Sequence, residues 1–120
     1  MSSQDSSKKV LLVDDEVAVR NLYQIFLEKQ GLSVFTAAGV REALQALHDL
    51  HFDAAVVDLQ LTDGDGMEIV RRIRQNGGPR VVAMSGYPQS ERIARDLEVQ
   101  NVHFYSKLDP LGELVRLLAD

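Results

Sequence analysis

The chain contains no cysteine and no tryptophan. The lack of cysteine excludes disulfide bonds and thiolate metal sites, and it is compatible with a reducing compartment. Aromatic residues make up only 6% of the chain, so any hydrophobic core must be built mostly from aliphatic side chains. Hydrophobic residues amount to 45% of the 120 residues, which is enough for one domain of ordinary size.

Basic residues are in the minority. Thirteen Lys and Arg stand against eighteen Asp and Glu, and the formal net charge is −5. An acidic chain without a basic run is a poor candidate for binding nucleic acid by itself. It also lacks the Lys/Arg face of a helix that lies on a membrane, so neither partner is expected.

Long apolar runs are missing as well. No stretch approaches the roughly 18 residues that a membrane-spanning helix needs. Residues 1–7, MSSQDSS, are polar, lack the apolar centre of a signal peptide and are predicted to be a disordered leader. Residues 8–120 are predicted to form one domain, and the protein is expected to be cytoplasmic.

Five short runs of aliphatic and β-branched residues recur along the chain. Continuous runs of this kind are typical of strands that are buried on both faces. They are VLLV at Val10, LSVFTA at Leu32, AAVVDL at Ala54, RVVAMS at Arg80 and NVHFYS at Asn101.

Segments with helical spacing alternate with these runs. Their apolar residues recur at i, i+3, i+4 and i+7, which places them along one side of a helix. A weaker segment contains Ile93 and Leu97. The clear stripes are Val19, Leu22, Tyr23 and Phe26; Val40, Ala43, Leu44 and Leu47; Gly66, Ile69, Val70 and Ile73; and Leu111, Leu114, Val115 and Leu118.

The alternation of five strands with five helices predicts an α/β fold, a doubly wound parallel sheet with helices on both faces. An eight-fold βα barrel would need about twice this length. In open parallel sheets, ligands bind beyond the carboxyl ends of the strands, where the strand order reverses. A functional site is therefore expected among polar residues that directly follow strands.

Polar residues occur at four of these strand ends. They are Asp14 and Asp15 after the first strand, Asp58 at the end of the third, Ser85 at the end of the fourth and Lys107 at the end of the fifth. Clustered carboxylates favour a hard divalent cation such as Mg²⁺, and a carboxylate can attack phosphorus. A metal, a lysine and hydroxyl or backbone donors can neutralise a phosphoryl group during transfer.

This set of residues resembles the receiver domain of bacterial two-component response regulators, of the chemotaxis-regulator kind, from about Lys8 to Asp120. The segments DLQLTDGDGMEIVRRIR and MSGYP are also similar to sequences of that family. The resemblance implies a flavodoxin-like (βα)5 fold with strand order 2-1-3-4-5. It implies a signalling domain that catalyses its own phosphorylation and dephosphorylation, rather than an enzyme with other substrates.

The resemblance assigns a role to each carboxylate. Asp58 would be the phospho-acceptor and would take its phosphoryl group from a phosphohistidine on a sensor histidine kinase or a histidine phosphotransfer protein. Asp15 would bind Mg²⁺ directly and Asp14 mainly through water. Asp58 and the backbone carbonyl of Gln60 would complete the metal ligands.

The resemblance also assigns roles on the phosphoryl side. Lys107 would pair with a phosphoryl oxygen, and the Ser85 hydroxyl and the Gly86 amide would donate hydrogen bonds to the group. Phe104 would be a switch aromatic that turns inward on activation. Activation would change the face formed by the fourth helix, fifth strand and fifth helix, and a homodimer through that face is a further expectation.

Three positions depart from the family pattern. The family usually has a proline in a cis bond after this lysine, where this chain has Leu108. A cis bond before a residue other than proline costs about 2.5–4 kcal/mol, so a trans Lys107–Leu108 bond is predicted. Thr62 replaces the usual proline four residues after the acceptor, and VQNV at residues 99–102 replaces the usual GA.

Other polar residues have structural interpretations. Glu16 is expected in the first turn of the first helix, where a negative charge suits the helix dipole. Asp63 and Asp65, within TDGDG, are interpreted as turn residues. The three histidines lack metal-ligand spacing and are interpreted as structural.

Two other functions remain open. A Mg²⁺-dependent aspartyl-phosphate phosphatase also uses a nucleophilic Asp and a lysine. Such an enzyme places the nucleophile after the first strand with a second Asp two residues on, which the adjacent Asp14 and Asp15 do not match. The other alternative is a receiver-like domain used only as a binding scaffold, against which the full acidic set argues.

Overall fold

The structure is a computed structural model that describes residues 7–119, so the predicted leader lies outside the described residues except for Ser7. Within this range no helix is both long and apolar enough to cross a membrane. The elements in chain order are β1 (Lys9–Val13), α1 (Val17–Lys29), β2 (Ser33–Ala37), α2 (Val40–Asp49), β3 (Ala54–Asp58), β4 (Gln60–Leu61), β5 (Gly64–Asp65), α3 (Gly66–Gln75), β6 (Arg80–Ser85), α4 (Glu91–Val99), β7 (His103–Ser106) and α5 (Leu111–Ala119).

Five strands form one parallel sheet in the order β2-β1-β3-β6-β7. The short strands β4 and β5 form a separate antiparallel hairpin, so the sheet strands follow the predicted order 2-1-3-4-5 along the chain. The order reverses at β1, which lies beside β3 with Val13 opposite Val57. The carboxyl ends of β1 and β3 therefore meet at the switch point, where parallel sheets bind ligands.

Each face of the sheet carries its own hydrophobic core. Leu11, Val13 and Val57 face α2, α3 and α4, whereas Val10 and Leu12 face α1 and α5. This division follows from the strand geometry, because successive side chains point to opposite faces. The central strands are buried on both sides, as their continuous apolar runs predicted.

The predicted stripe of α1 is wrong at one position. Leu22 is 54% exposed, whereas Leu27 is fully buried beside Tyr23. Both leucines fit helical spacing with Val19 and Phe26, and the rotation of α1 on the sheet selects Leu27. The stripes predicted for the second, third and fifth helices are all buried or half-buried against the sheet.

Three helices end in the same backbone motif. Gly31, Gly77 and Asn101 follow α1, α3 and α4 with φ values of 91°, 64° and 59°. In each case the amide of this residue and the next one donate to carbonyls of the last helical turn. Gly31 and Gly77 adopt this positive φ without strain, and Asn101, within the VQNV segment, takes the place of a glycine because asparagine tolerates this conformation.

Candidate functional site

Three carboxylates meet at the carboxyl ends of β1 and β3. Asp14 and Asp15 follow β1, Asp58 is the last residue of β3, and each offers an oxygen within 4.8 Å of the others. Asp14 is fully buried and Asp58 is 4% exposed, whereas Asp15 is half-buried. The parallel topology thus brings together residues that are far apart in the chain.

Lys107, which follows β7, joins two of these carboxylates. Its Nζ lies 2.9 Å from Asp14 Oδ2 and 2.9 Å from Asp58 Oδ2. Its backbone amide donates to the Ser85 carbonyl at 2.9 Å, which fixes the end of β7 beside the end of β6. Three carboxylates and one ammonium leave two negative charges unbalanced, and this imbalance matches the charge of a divalent cation.

The protonation of the cluster follows from burial and from these contacts. Burial raises the pKa of Asp58, while the hydrogen bonds from Lys107 and the Gln60 amide oppose that rise. Burial alone would lower the pKa of Lys107, but its hydrogen bonds to Asp58 and Asp14 outweigh burial and raise the pKa above its usual value. Lys107 is therefore charged at neutral pH.

A main-chain amide orients each carboxylate. The Glu16 amide donates to Asp14 Oδ1 at 2.9 Å, and the Gln60 amide donates to Asp58 Oδ1 at 2.9 Å. Both donors lie two residues after the acceptor, as in an Asx turn. Asp15 Oδ2 instead accepts from the amide of Thr62, at 2.8 Å and 47 positions away.

The donor set of the cluster fits Mg²⁺. This ion prefers oxygen ligands, and it takes one or two carboxylates together with water and phosphate oxygens. Asp14, Asp15 and Asp58 supply closely spaced carboxylate oxygens. Gln60, whose backbone carbonyl is a predicted ligand, lies two residues after Asp58 at the start of β4. Cysteine and histidine, the ligands of softer metals, are absent from this cluster within residues 7–119.

Ser85 and Gly86 lie beside Lys107. Ser85 ends β6 and is fully buried, and its Oγ accepts a hydrogen bond from the Tyr87 amide at 3.1 Å. This contact uses a lone pair of the hydroxyl, so its proton can be donated to an anion. A Cβ at Gly86 would lie 3.9 Å from Lys107 Cδ, which places the Gly86 backbone next to Lys107.

The arrangement matches a known protein family. The model of the response regulator receiver domain matches residues 10–119. This chain belongs to that family. As a receiver domain of a response regulator, it is a signalling domain of a two-component system, and the resemblance read from its motifs is confirmed.

Two curated relatives are regulators of greater length. Response regulator protein PilR of Pseudomonas aeruginosa is 34% identical over 115 residues, which cover 95% of this chain and 26% of PilR. The KDP operon transcriptional regulatory protein KdpE of Escherichia coli is 35% identical over 106 residues, 88% of this chain and 47% of KdpE. This receiver domain therefore spans less than half the length of either relative.

The fold has close counterparts among solved structures. A CheY-like response regulator receiver domain from Methanospirillum hungatei superposes with a TM-score of 0.87. The match has 24% identity and covers 95% of this chain and 92% of that chain. It confirms the predicted CheY-like, flavodoxin-like fold.

Phe104 of the receiver domain lies away from the acidic cluster. It is 36% exposed in β7 and lines a groove with Leu97 and Val102 beside α4. The next residue, Tyr105, points to the opposite face of the sheet, where it is fully buried with its ring edge-on to Tyr23 at 6.3 Å. The predicted switch aromatic is thus partly exposed and close to the face proposed for signalling.

The two turn aspartates do more than shape a turn. Asp65 accepts from the Met67 amide at 2.9 Å and caps α3, a contact that the rule for helix starts could have predicted. Asp63 accepts from the Val40 amide at 2.8 Å and from the Arg41 amide at 3.3 Å, and so caps α2. No local pattern announces this second cap, because donor and acceptor are more than twenty positions apart.

The site requires glycine at position 66. The place of Gly66 in the predicted apolar stripe of the third helix did not reveal this requirement. A Cβ at Gly66 would lie 2.7 Å from the Cα of Leu59 and closer still to the Asp58 carbonyl oxygen. Only glycine lets α3 begin directly against the end of β3. The end of β3 is therefore in direct contact with the start of α3.

The loop after Lys107 is built without a cis bond. All peptide bonds within residues 7–119, including Lys107–Leu108, are trans, as predicted from the missing proline. The Leu108 amide donates to Ser106 Oγ at 3.2 Å, a bond that a proline could not make, and the Leu108 side chain is 84% exposed.

Proposed function

We propose that Asp58 accepts a phosphoryl group from a phosphohistidine on a sensor histidine kinase or a histidine phosphotransfer protein, in a Mg²⁺-dependent reaction. The observation that supports this best is the buried Asp58 carboxylate, which lies 2.9 Å from Lys107 within the cluster completed by Asp14 and Asp15. An Asp58 oxygen attacks phosphorus, the P–N bond breaks, and its electron pair returns to the imidazole. Attack by water on the aspartyl phosphate releases phosphate and restores the carboxylate.

The surrounding residues stabilise the phosphoryl group. The Lys107 ammonium pairs with one phosphoryl oxygen, and the Ser85 hydroxyl and Gly86 amide donate hydrogen bonds to the others. Asp14, Asp15, Asp58 and the Gln60 carbonyl would hold Mg²⁺, which would supply positive charge next to the phosphoryl oxygens. The excess of negative charge in the cluster explains why such a cation is needed before a further anion can bind.

The signal is proposed to leave through the face formed by α4, β7 and α5. The aspartyl phosphate carries about −1.5 to −2 charges where the Asp58 carboxylate carried one, and it competes for the ammonium of Lys107, which follows β7. Phe104, which lies in β7 three residues before Lys107, would then turn from its exposed position into the groove beside α4. A homodimer through this face, a cytoplasmic location and the absence of nucleic-acid binding by the domain itself stay predictions.

The acceptor assignment can be tested by labelling with acetyl phosphate in Mg²⁺, read by intact-protein mass spectrometry. The wild-type chain should gain one phosphoryl group, and both Asp58→Asn and removal of Mg²⁺ by a chelator should abolish the gain. Asp53→Asn is the matched control, because Asp53 lies at the opposite end of β3 with its side chain 44% exposed. Wild-type labelling of Asp58→Asn would overturn the assignment.

The same samples separate the two alternative functions. Repeated turnover of an external phosphoester would favour the phosphatase, whereas the receiver domain should consume only its own aspartyl phosphate. A scaffold should show no Mg²⁺-dependent change in the NMR shifts of residues around Asp58.

A further inference from the structure

One carboxylate of the cluster depends on a distant segment for its orientation. Asp14 and Asp58 accept amides from within their own turns, but Asp15 accepts from the Thr62 amide, 47 positions away. Asp15 is also the most exposed of the three. Because two other carboxylates lie within a few ångströms, like-charge repulsion favours rotation of Asp15 out into solvent. The 2.8 Å hydrogen bond from Thr62 opposes that rotation.

Thr62 belongs to a turn that is itself anchored. The β4–β5 hairpin pairs Leu61 with Gly64, so Thr62 and Asp63 form its two-residue loop. The Asp63 carboxylate accepts the first amides of α2 at 2.8 and 3.3 Å. A Cβ at Gly39 would lie 2.8 Å from Asp63 Cγ, so the carboxylate sits directly on the start of that helix. The loop is thus fixed to α2 on one side and to Asp15 on the other.

We propose that the Thr62–Asp63 loop is a positioning device for Asp15 that strengthens Mg²⁺ binding by the receiver domain. The Thr62 amide holds one oxygen of Asp15 and keeps the carboxylate within the cluster, and Asp63 holds the loop in place against α2. Neither residue contacts the metal. The inference rests on the proposed function, since it concerns the Mg²⁺ site through which Asp58 would accept a phosphoryl group.

The substitution Thr62→Pro tests whether the backbone amide of Thr62, rather than its side chain, holds Asp15. Proline has no amide hydrogen, so Thr62→Pro removes the donor to Asp15. Within residues 7–119 Asn101 is the one residue other than glycine with a positive φ, so Thr62 does not have the positive φ that would exclude proline. Proline is also favoured at the second position of a four-residue turn, which residue 62 occupies between Leu61 and Gly64.

The test is a calorimetric Mg²⁺ titration of the full 120-residue chain and its variants, with NMR shifts as a second readout. Thr62→Pro should weaken Mg²⁺ binding about tenfold, the loss expected for one charge-assisted hydrogen bond. Thr62→Ala keeps the amide and is the matched control, with an affinity close to wild type. In acetyl phosphate labelling, Thr62→Pro should need more Mg²⁺ for half-maximal rate but reach the wild-type rate at saturation.

The anchor provides an independent pair of variants. Asp63→Ala removes both acceptors and should weaken Mg²⁺ binding about threefold, whereas Asp63→Asn keeps one carbonyl acceptor and should recover most of that affinity. If Thr62→Pro shows no cooperative unfolding transition and is therefore not folded, the two Asp63 variants test the positioning role of the loop instead.

The outcomes separate this inference from the proposed function. A wild-type chain that does not bind Mg²⁺ overturns both. Normal wild-type binding with equal affinities for Thr62→Pro and Thr62→Ala, or for Asp63→Ala and wild type, overturns the positioning role alone. A purely structural loop would lower the urea midpoint of these variants and leave Mg²⁺ affinity unchanged.

Discussion

Lys107 Nζ lies 2.9 Å from Asp58 Oδ2, although the two residues are 49 positions apart. The lysine side chain is 16% exposed and the aspartate side chain 6% exposed, so little solvent screens the pair. The same ammonium contacts Asp14, whose side chain is fully buried. Two buried carboxylates thus depend on one cation for their compensation.

Removal of the Lys107 ammonium should strongly destabilise the folded protein. Lys107→Met should lower the free energy of unfolding by about 3–5 kcal/mol at neutral pH, because it leaves two buried carboxylates with one main-chain amide each and no cationic partner. Urea unfolding followed by circular dichroism measures the loss. Millimolar Mg²⁺ should restore part of it, since the ion takes over the compensation. Lys29→Met, at an exposed helix end, should stay within about 0.5 kcal/mol of wild type. A loss no larger in Lys107→Met than in this control would contradict the arrangement.

Gly66 should not tolerate even a methyl group. Gly66→Ala would force α3 away from the backbone of Asp58 and Leu59, and we expect a loss of about 3 kcal/mol or more. Gly112→Ala is the matched control within α5, because nothing lies within 4 Å of its added Cβ. That variant should gain about 0.5–1 kcal/mol from the better helix propensity of alanine. Equal unfolding midpoints for the two variants would rule out the close approach.

The cap on α2 should make stability depend on acid pH. The hydrogen bond from the Val40 amide holds the pKa of Asp63 below its usual value of 3.8. A depressed folded pKa means that the stabilisation is present above the unfolded pKa and is lost as the pH falls through the folded one. Asp63→Asn should therefore be less stable than wild type above about pH 5, and the difference should shrink below about pH 3.

Urea midpoints measured from pH 6 downward provide this comparison. Gly112→Ala carries no titratable group at the changed position, and its difference from wild type should stay constant over the same range. A difference between Asp63→Asn and wild type that does not change with pH would contradict the role of the ionised carboxylate.

Ionisation of Tyr105 should lower the stability of the folded protein at alkaline pH. Burial raises the pKa of Tyr105 from 10.0 to about 12. Because the folded state holds the phenol proton more tightly, this stabilisation is complete below pH 10 and is lost as the pH rises towards 12. Ultraviolet absorbance of tyrosinate should show late ionisations of Tyr105 and of Tyr23, whose pKa is also raised by burial, and Tyr105→Phe should remove one of them. A late absorbance change of undiminished size in Tyr105→Phe would refute the assignment.

The hydroxyl of Tyr105 also has a structural role. It donates to the Asp109 carbonyl at 2.8 Å and so fixes the loop between β7 and α5. Tyr105→Phe should cost about 0.5–1.5 kcal/mol in thermal or urea unfolding, the usual net value of one hydrogen bond. Tyr87→Phe, at a side chain that is 66% exposed, should be close to neutral.

The sequence by itself determined the architecture and the members of the candidate site. Buried parallel strands need continuous apolar runs, and helices on a sheet need one apolar stripe, so both patterns are local and could be read directly. Parallel strands end at the same edge, so Asp14, Asp58 and Lys107 could be predicted to converge without any knowledge of their contacts. The motif set at these ends was also specific enough to identify the family.

The tertiary structure decided which contacts these residues make. Leu22 and Leu27 fit the helical period equally well, and only the seating of α1 on the sheet buried Leu27. The hydrogen bond from Thr62 to Asp15 and the cap of Asp63 on α2 join segments more than twenty residues apart. Such contacts depend on where a loop comes to lie in three dimensions, and sequence periodicity carries no information about that position. The sequence pattern therefore identifies the carboxylates of the site, whereas the fold determines which backbone amides donate hydrogen bonds to them.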